Sequence, residues 1–129
     1  MPRPLIIAHR GASAYAPENT RAAFELAREM GADGFECDVH LSKDGVPVVI
    51  HDDNLKRVCG INVHVASLPV RLLKKRDFGS WFAGKFSDQR ILTLEETLAL
   101  AKPRFVCMVE VKDSGDDGTN ERLVQEVAL

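Results

Sequence analysis

The residues able to do chemistry stand at the ends of short apolar runs. His9 and Arg10 follow the run Leu5 to Ala8, Glu36 and Asp38 lie two apart in FECDVHL, His51 follows VPVVI, and Glu110 with Lys112 closes FVCMVEVK. Histidine changes protonation near neutral pH, so one imidazole can take a proton while a second gives one; His9 and His51 are the candidates. Carboxylates drawn together repel, each pair by ~4 kcal/mol at about 4 Å and an effective dielectric of about 20. Something positive must therefore sit among Glu36, Asp38 and Glu110. An all-oxygen set suits Mg²⁺ or Ca²⁺, with Mn²⁺ as a third choice, better than zinc, which favours nitrogen and sulfur. Neutralisation by Arg10 and Lys112 without any metal is the alternative. Arg10 can also hold a phosphate through its fork of donors. A base, an acid, a charge-neutralising centre and a phosphate contact are the parts that phosphodiester cleavage requires.

The elements that must position these groups are legible. Leu5 to Ala8 reads as a strand feeding the small-residue loop Gly11 to Pro17. Asn19 or Thr20 then caps a helix through about Met30, with Ala23, Phe24, Ala27 and Met30 on one face and Gly31 as the stop. Phe35 to Leu41 alternates: Phe35, Cys37 and Val39 share one face, Glu36, Asp38 and His40 the other. A hairpin turn at Ser42 to Gly45 leads into a strand from Pro47 to Ile50, and a turn centred on Asp44 and Gly45 sets Asp38 roughly opposite His51. Residues from about 54 to 92 form a lid-like insertion, with a short helix near Pro69 to Arg76 and an aromatic cluster of Phe78, Trp81, Phe82 and Phe86 that reads as packing. Thr93 opens a capping-box helix that ends before Pro103, and Phe105 to Val111 is a further strand. An acidic loop over 115–118 is followed by a helix from Glu121 that is still in progress at Leu129. His40 and His64 read as surface residues, and Glu18 as a charge favoured by the start of the first helix, with a place in the site as its alternative.

The 129 residues suffice for one domain, and 45% apolar with 28% charged residues excludes disorder. A net charge of -2 gives no field for nucleic acid or an anionic membrane surface. The N-terminal apolar run is too short for a signal or a membrane span, so a cytoplasmic setting is expected. Cys37, Cys59 and Cys107 are odd in number and widely spaced, as expected of reduced packing residues.

The segments HRGASAYAPENT, FECDVHLSKDGVPVVIHDDNLKR, GSWF, ILTLEETL and VEVK resemble the glycerophosphodiester phosphodiesterases over nearly the whole chain. The resemblance implies a (β/α)₈ TIM-type barrel with a hairpin between its second and third strands. It implies His9 and His51 as the acid/base pair, Glu36, Asp38 and Glu110 as ligands of a divalent cation, and Arg10 and Lys112 as substrate contacts. The implied substrate is a small glycerophosphodiester, cleaved to glycerol 3-phosphate and an alcohol. Leu92 departs from the proline expected before TLEE.

A complete barrel takes about 250 residues, whereas four strands are counted here. The expectation is the first half of a barrel, belonging to a longer protein or completed by self-association across its open strand edges. A lipid phosphodiesterase of the phospholipase C or sphingomyelinase D kind is the enzymatic alternative, and a fragment that binds metal or phosphate without turnover is the non-enzymatic one.

Overall fold

The computed structural model describes residues 2–112; the acidic loop at 115–118 and the helix expected over 121–129 lie outside them. In chain order the elements are β1 (Ile7–His9), α1 (Arg21–Glu29), β2 (Gly34–Leu41), β3 (Pro47–Val49), α2 (Lys56–Cys59), α3 (Val70–Leu73), β4 (Leu92–Thr93), α4 (Leu94–Leu100) and β5 (Val106–Val111). β2 pairs in parallel with both β1 and β5, while β3 and β4 continue antiparallel from its C-terminal half. Three parallel strands with helices between them are the opening of the expected barrel, and β3 and β4 lie between its second and third strands. Among the described residues the count of four strands becomes five, because Leu92 and Thr93 pair with Val49 and Val48.

The strand alternation holds. Phe35, Cys37, Val39 and Leu41 lie in one core with Phe24 of α1 and Leu94 at the start of α4, and the rings of Phe24 and Phe35 stand 4.2 Å apart. Burying each such side chain contributes roughly 1.5–3 kcal/mol. The opposite face of β2 is therefore left for Glu36 and Asp38. Thr20 caps α1 by accepting from the Ala23 N–H, and Thr93 and Glu96 form both halves of the capping box of α4. Met30 departs from the expected apolar face: it is the C-cap residue and 57% exposed, because the helix ends at Glu29 and the chain turns at Gly31 (φ +88°).

The hairpin register corrects one expectation. Val39 pairs with Val49, and the Ile50 N–H donates to the Asp38 carbonyl, so Ile50 and not His51 stands opposite Asp38. The cause is the loop. The Ser42 N–H donates to Val46 and the Gly45 N–H to Ser42, with Gly45 at φ +77°, so three residues turn the chain where two were expected. A one-residue change in loop length shifts every pairing by one. His51 consequently lies beyond the end of β3, where the bend that follows aims it.

The segment from Leu55 to Ile91 builds a core of its own, in which Leu55, Val58, Val65, Leu73, Phe78 and Ile91 pack on Val48 and Ile50. β3 thus divides two cores: Val49 faces the first, Val48 and Ile50 the second. Phe78 is buried, whereas Trp81, Phe82 and Phe86 stack edge to face and Trp81 is exposed. The helix expected near Pro69 is the single turn α3, with Pro69 at its N-cap. Cys37 is fully buried in the first core, with Cys107 packed against it.

Gly11 and Asp33 each tie the start of the chain to its neighbours. Gly11 has φ +82°, and a Cβ there would stand 2.7 Å from the Ala23 carbonyl carbon and 2.8 Å from its Cβ. Gly11→Ala combines left-handed strain with overpacking against α1, so it should lower stability by roughly 2–4 kcal/mol in urea unfolding; a loss below about 1 kcal/mol would show that loop and helix can part freely. Asp33 accepts from the Ile6 N–H at 2.8 Å and from both Nη atoms of Arg3, at 2.8 and 2.6 Å. These bonds, the Arg3 contact first, hold its carboxyl down at about 2. A depressed carboxyl contributes stability that is complete above the unfolded range near 4 and fades as pH falls toward 2. Thermal melts should show that fade between about pH 4 and 2, and Asp33→Asn should make it shallower, leaving the share that Asp52, also held at about 2, contributes.

Candidate active site

β1, β2 and β5 bring the polar groups to one sheet end. His9 pairs with Glu36 across β1 and β2, and Asp38 with Glu110 across β2 and β5, so the register lays the four in two adjacent rows. Directly paired residues project to the same face. One ligand oxygen from each of Glu36, Asp38 and Glu110 lies within 4.8 Å of the others. His9 Nε2 stands 3.9 Å from Glu36 Oε1.

Asp38 is the centre of this group and is fully buried. Its Oδ2 accepts from Asn19 Nδ2 at 3.0 Å and lies 3.4 Å from Arg10 Nε; its Oδ1 lies 3.5 Å from Lys112 Nζ. Those two cations are near enough to feel the charge but not aligned to bond. Arg10 Nε, Asn19 Oδ1 and Asp38 Oδ1 are all buried without a hydrogen-bond partner among the described residues, which is costly unless something else meets them. Burial, and after it the charge and hydrogen bonding of Asp38, push the Glu36 carboxyl up to about 7. Glu110 shifts the other way, held down by the hydrogen bond from Lys112 Nζ at 2.8 Å.

The proposed neutralisation by Arg10 and Lys112 is thus present in the geometry, yet it leaves Glu36 disfavoured as an anion and Asp38 Oδ1 unbonded. A divalent cation fits what remains: three hard oxygen donors in reach of one point, and no nitrogen or sulfur among them.

Arg10 itself adopts φ +59°, a left-handed conformation that costs energy in a residue other than glycine. Its N–H donates to Glu36 Oε1 at 3.2 Å and its Nη1 to Glu18 Oε1 at 3.4 Å. Glu18 does not act as a helix-end charge: α1 begins at Arg21 behind the cap Thr20, and Glu18 is bound by two guanidinium groups. Burial works against its charge, but Arg57, with help from Arg10, holds the carboxyl below its ordinary range.

His51 is set by its surroundings. Its Nδ1 meets Asp52 Oδ1 at 2.7 Å, and its backbone carbonyl accepts from His40 Nε2 at 2.9 Å. His40 therefore corrects the surface reading: it is buried on the site face of β2, where burial depresses its basicity. His64 is exposed, as expected. Asp52 is held down at about 2, chiefly by Arg57. The structure brings His9, Arg10, Glu36, Asp38, Glu110 and Lys112 into one neighbourhood, as the sequence led one to expect. Sequence reasoning ranked the site role of Glu18 second and missed Asn19 as a contact of Asp38, His40, Asp52 and Arg57; the signal available was that PENT and HDDNLKR put polar residues beside the chosen ones.

Comparison with known proteins places this geometry. Residues 9–129 match the model of the Glycerophosphoryl diester phosphodiesterase family. A glycerophosphodiester phosphodiesterase of Caldanaerobacter subterraneus is 43% identical over 127 residues, which are 95% of this chain and 52% of that one. Among solved structures, an Oleispira antarctica phosphodiesterase in complex with the product sn-glycerol-3-phosphate aligns with a TM-score of 0.90 and 36% identity, over 97% of this chain and 50% of that one. A glycerophosphodiester phosphodiesterase from Agrobacterium tumefaciens aligns with a TM-score of 0.83 and 35% identity, over 98% and 54% respectively. This chain spans about half the length of these relatives. The carboxylate cluster with His9 beside it and a match across 9–129 lead to one assignment: the chain belongs to the glycerophosphoryl diester phosphodiesterase family.

Proposed function

We propose that this chain supplies the cation-binding and proton-transfer part of a divalent-metal-dependent hydrolase that splits glycerophosphodiesters into glycerol 3-phosphate and an alcohol. The observation that carries the reading is the buried Asp38, with an unbonded Oδ1 in reach of Glu36 and Glu110 and with Arg10 alongside. Glu36, Asp38 and Glu110 would hold Mg²⁺ or Ca²⁺. When bound, the ion would neutralise charge on the phosphoryl oxygens and orient the diester.

The side chains do the rest. Arg10 and Lys112 stand beside Asp38, where a phosphoryl group would find positive charge on two sides. One imidazole of the His9 and His51 pair takes the proton of the attacking oxygen as its bond to phosphorus forms. The other gives a proton to the alkoxide as the phosphorus–oxygen bond to the head group breaks, so no charge is released. His51 commits Nδ1 to Asp52, which leaves Nε2 for that transfer.

The support is the product named with the Oleispira antarctica structure and the family match. Among the described residues no helix is long and apolar enough to cross a membrane. The deciding assay measures glycerol 3-phosphate released from glycerophosphocholine, with and without chelator, for this chain and for a C-terminally extended version. Activity should vanish with chelator and return with Mg²⁺ or Ca²⁺. Turnover that survives chelation would overturn the metal-dependent reading, and hydrolysis of lysophospholipid alone would favour the lipid phosphodiesterase.

A further inference from the structure

Arg57 lies outside the sheet, in the insertion, yet its guanidinium joins two parts of the site. Its Nε and Nη2 donate to Asp52 Oδ2 and Oδ1 at 3.0 and 3.1 Å, and its Nη1 and Nη2 donate to Glu18 Oε2 and Oε1 at 3.0 and 2.6 Å. Asp52 Oδ1 also meets His51 Nδ1, and Glu18 Oε1 also meets Arg10 Nη1. An unbroken chain therefore runs Arg10, Glu18, Arg57, Asp52, His51.

We infer that Arg57 is a positioning residue for the reaction proposed above, fixing the imidazole of His51 through Asp52 and the guanidinium of Arg10 through Glu18. The planar fork of arginine matches a carboxylate along each of two edges, which the point charge of lysine cannot do. Arg57 is itself set by packing: its neighbours Leu55 and Val58 are buried in the second core, and the Trp81 ring lies 5.8 Å from its guanidinium carbon. The insertion thereby acts on the chemistry from a distance. A misplacement of about 1 Å in such a group can cost about 10² in rate.

The inference rests on His51 transferring a proton, so its test has an arm that does not. In ¹H–¹⁵N spectra of the folded chain, His51 should show an Nδ1-bound proton, downfield and slow to exchange, that disappears in both Arg57→Gln and Arg57→Lys. The lysine variant keeps the charge and the stem, so it guards against a glutamine variant that does not fold. Persistence of that signal in either folded variant overturns the inference, whatever the kinetics. In whichever length of the protein turns over glycerophosphocholine, kcat should fall about 10²-fold with KM little changed, and lysine should not rescue it. A raised KM at unchanged kcat would make Arg57 a substrate contact instead. Loss of the signal with kcat intact would leave Arg57 holding His51 but remove His51 from the reaction, which is failure of the parent reading.

Discussion

Changing Asp38 to asparagine should weaken Mg²⁺ binding by at least about 10²-fold, since even residues that only support metal ligands cost 10–100-fold when altered. The side chain is fully buried, so asparagine must fit the space the carboxylate leaves. Its amide oxygen would take the Oδ2 place, where Asn19 Nδ2 donates, and its NH₂ would then occupy the Oδ1 place and point a donor at the cation. Two consequences for folding oppose each other: attraction to Arg10 and Lys112 is lost, and repulsion of Glu36 is relieved. Affinity should therefore change far more than the urea midpoint. Calorimetric titration with Mg²⁺ and urea unfolding on the same sample separate the two. If the wild-type protein takes up no divalent ion, Arg10 and Lys112 alone neutralise the cluster; if Asp38→Asn binds as tightly as wild type, Asp38 is not a ligand.

The parts of this site that were legible in the sequence are those set by a local period. Alternation on β2 put Glu36 and Asp38 on one face because strand geometry leaves no other arrangement once Phe35, Cys37 and Val39 are buried. The capping box at Thr93 and the stop at Gly31 are similarly local. What escaped was set by loop length or by partners far along the chain. The hairpin was misjudged by one residue because Asp44-Gly45 suits both a two-residue turn and the last positions of a three-residue one. Glu18 looked like a helix-end charge until Arg57, 39 residues on, claimed both its oxygens. His40 looked superficial because the chain bend at His51, which covers it, is not written in any period.

His51→Ala should lower kcat on glycerophosphocholine by about 10²–10⁴, or about 3–5 kcal/mol of transition-state stabilisation, with His9→Ala costing a similar amount. Neither change should alter the fold much, because His9 is largely exposed and His51 only partly covered. The roles separate when the leaving group changes. A choline alkoxide must be protonated as it departs, whereas p-nitrophenolate leaves readily without a proton. On a p-nitrophenyl diester, the histidine that acts as acid should become nearly dispensable, and the one that acts as base should remain essential. The double variant should lose little more than the worse single one, since groups that act as a unit in one transition state are not additive. The site favours a separation of duties. His51 is locked through Nδ1 by Asp52, while His9 stands 3.9 Å from Glu36, where the cation would draw charge from that carboxylate. If both single variants keep more than about a tenth of wild-type kcat on glycerophosphocholine, below the range expected of general acid/base groups, these histidines are not the proton carriers.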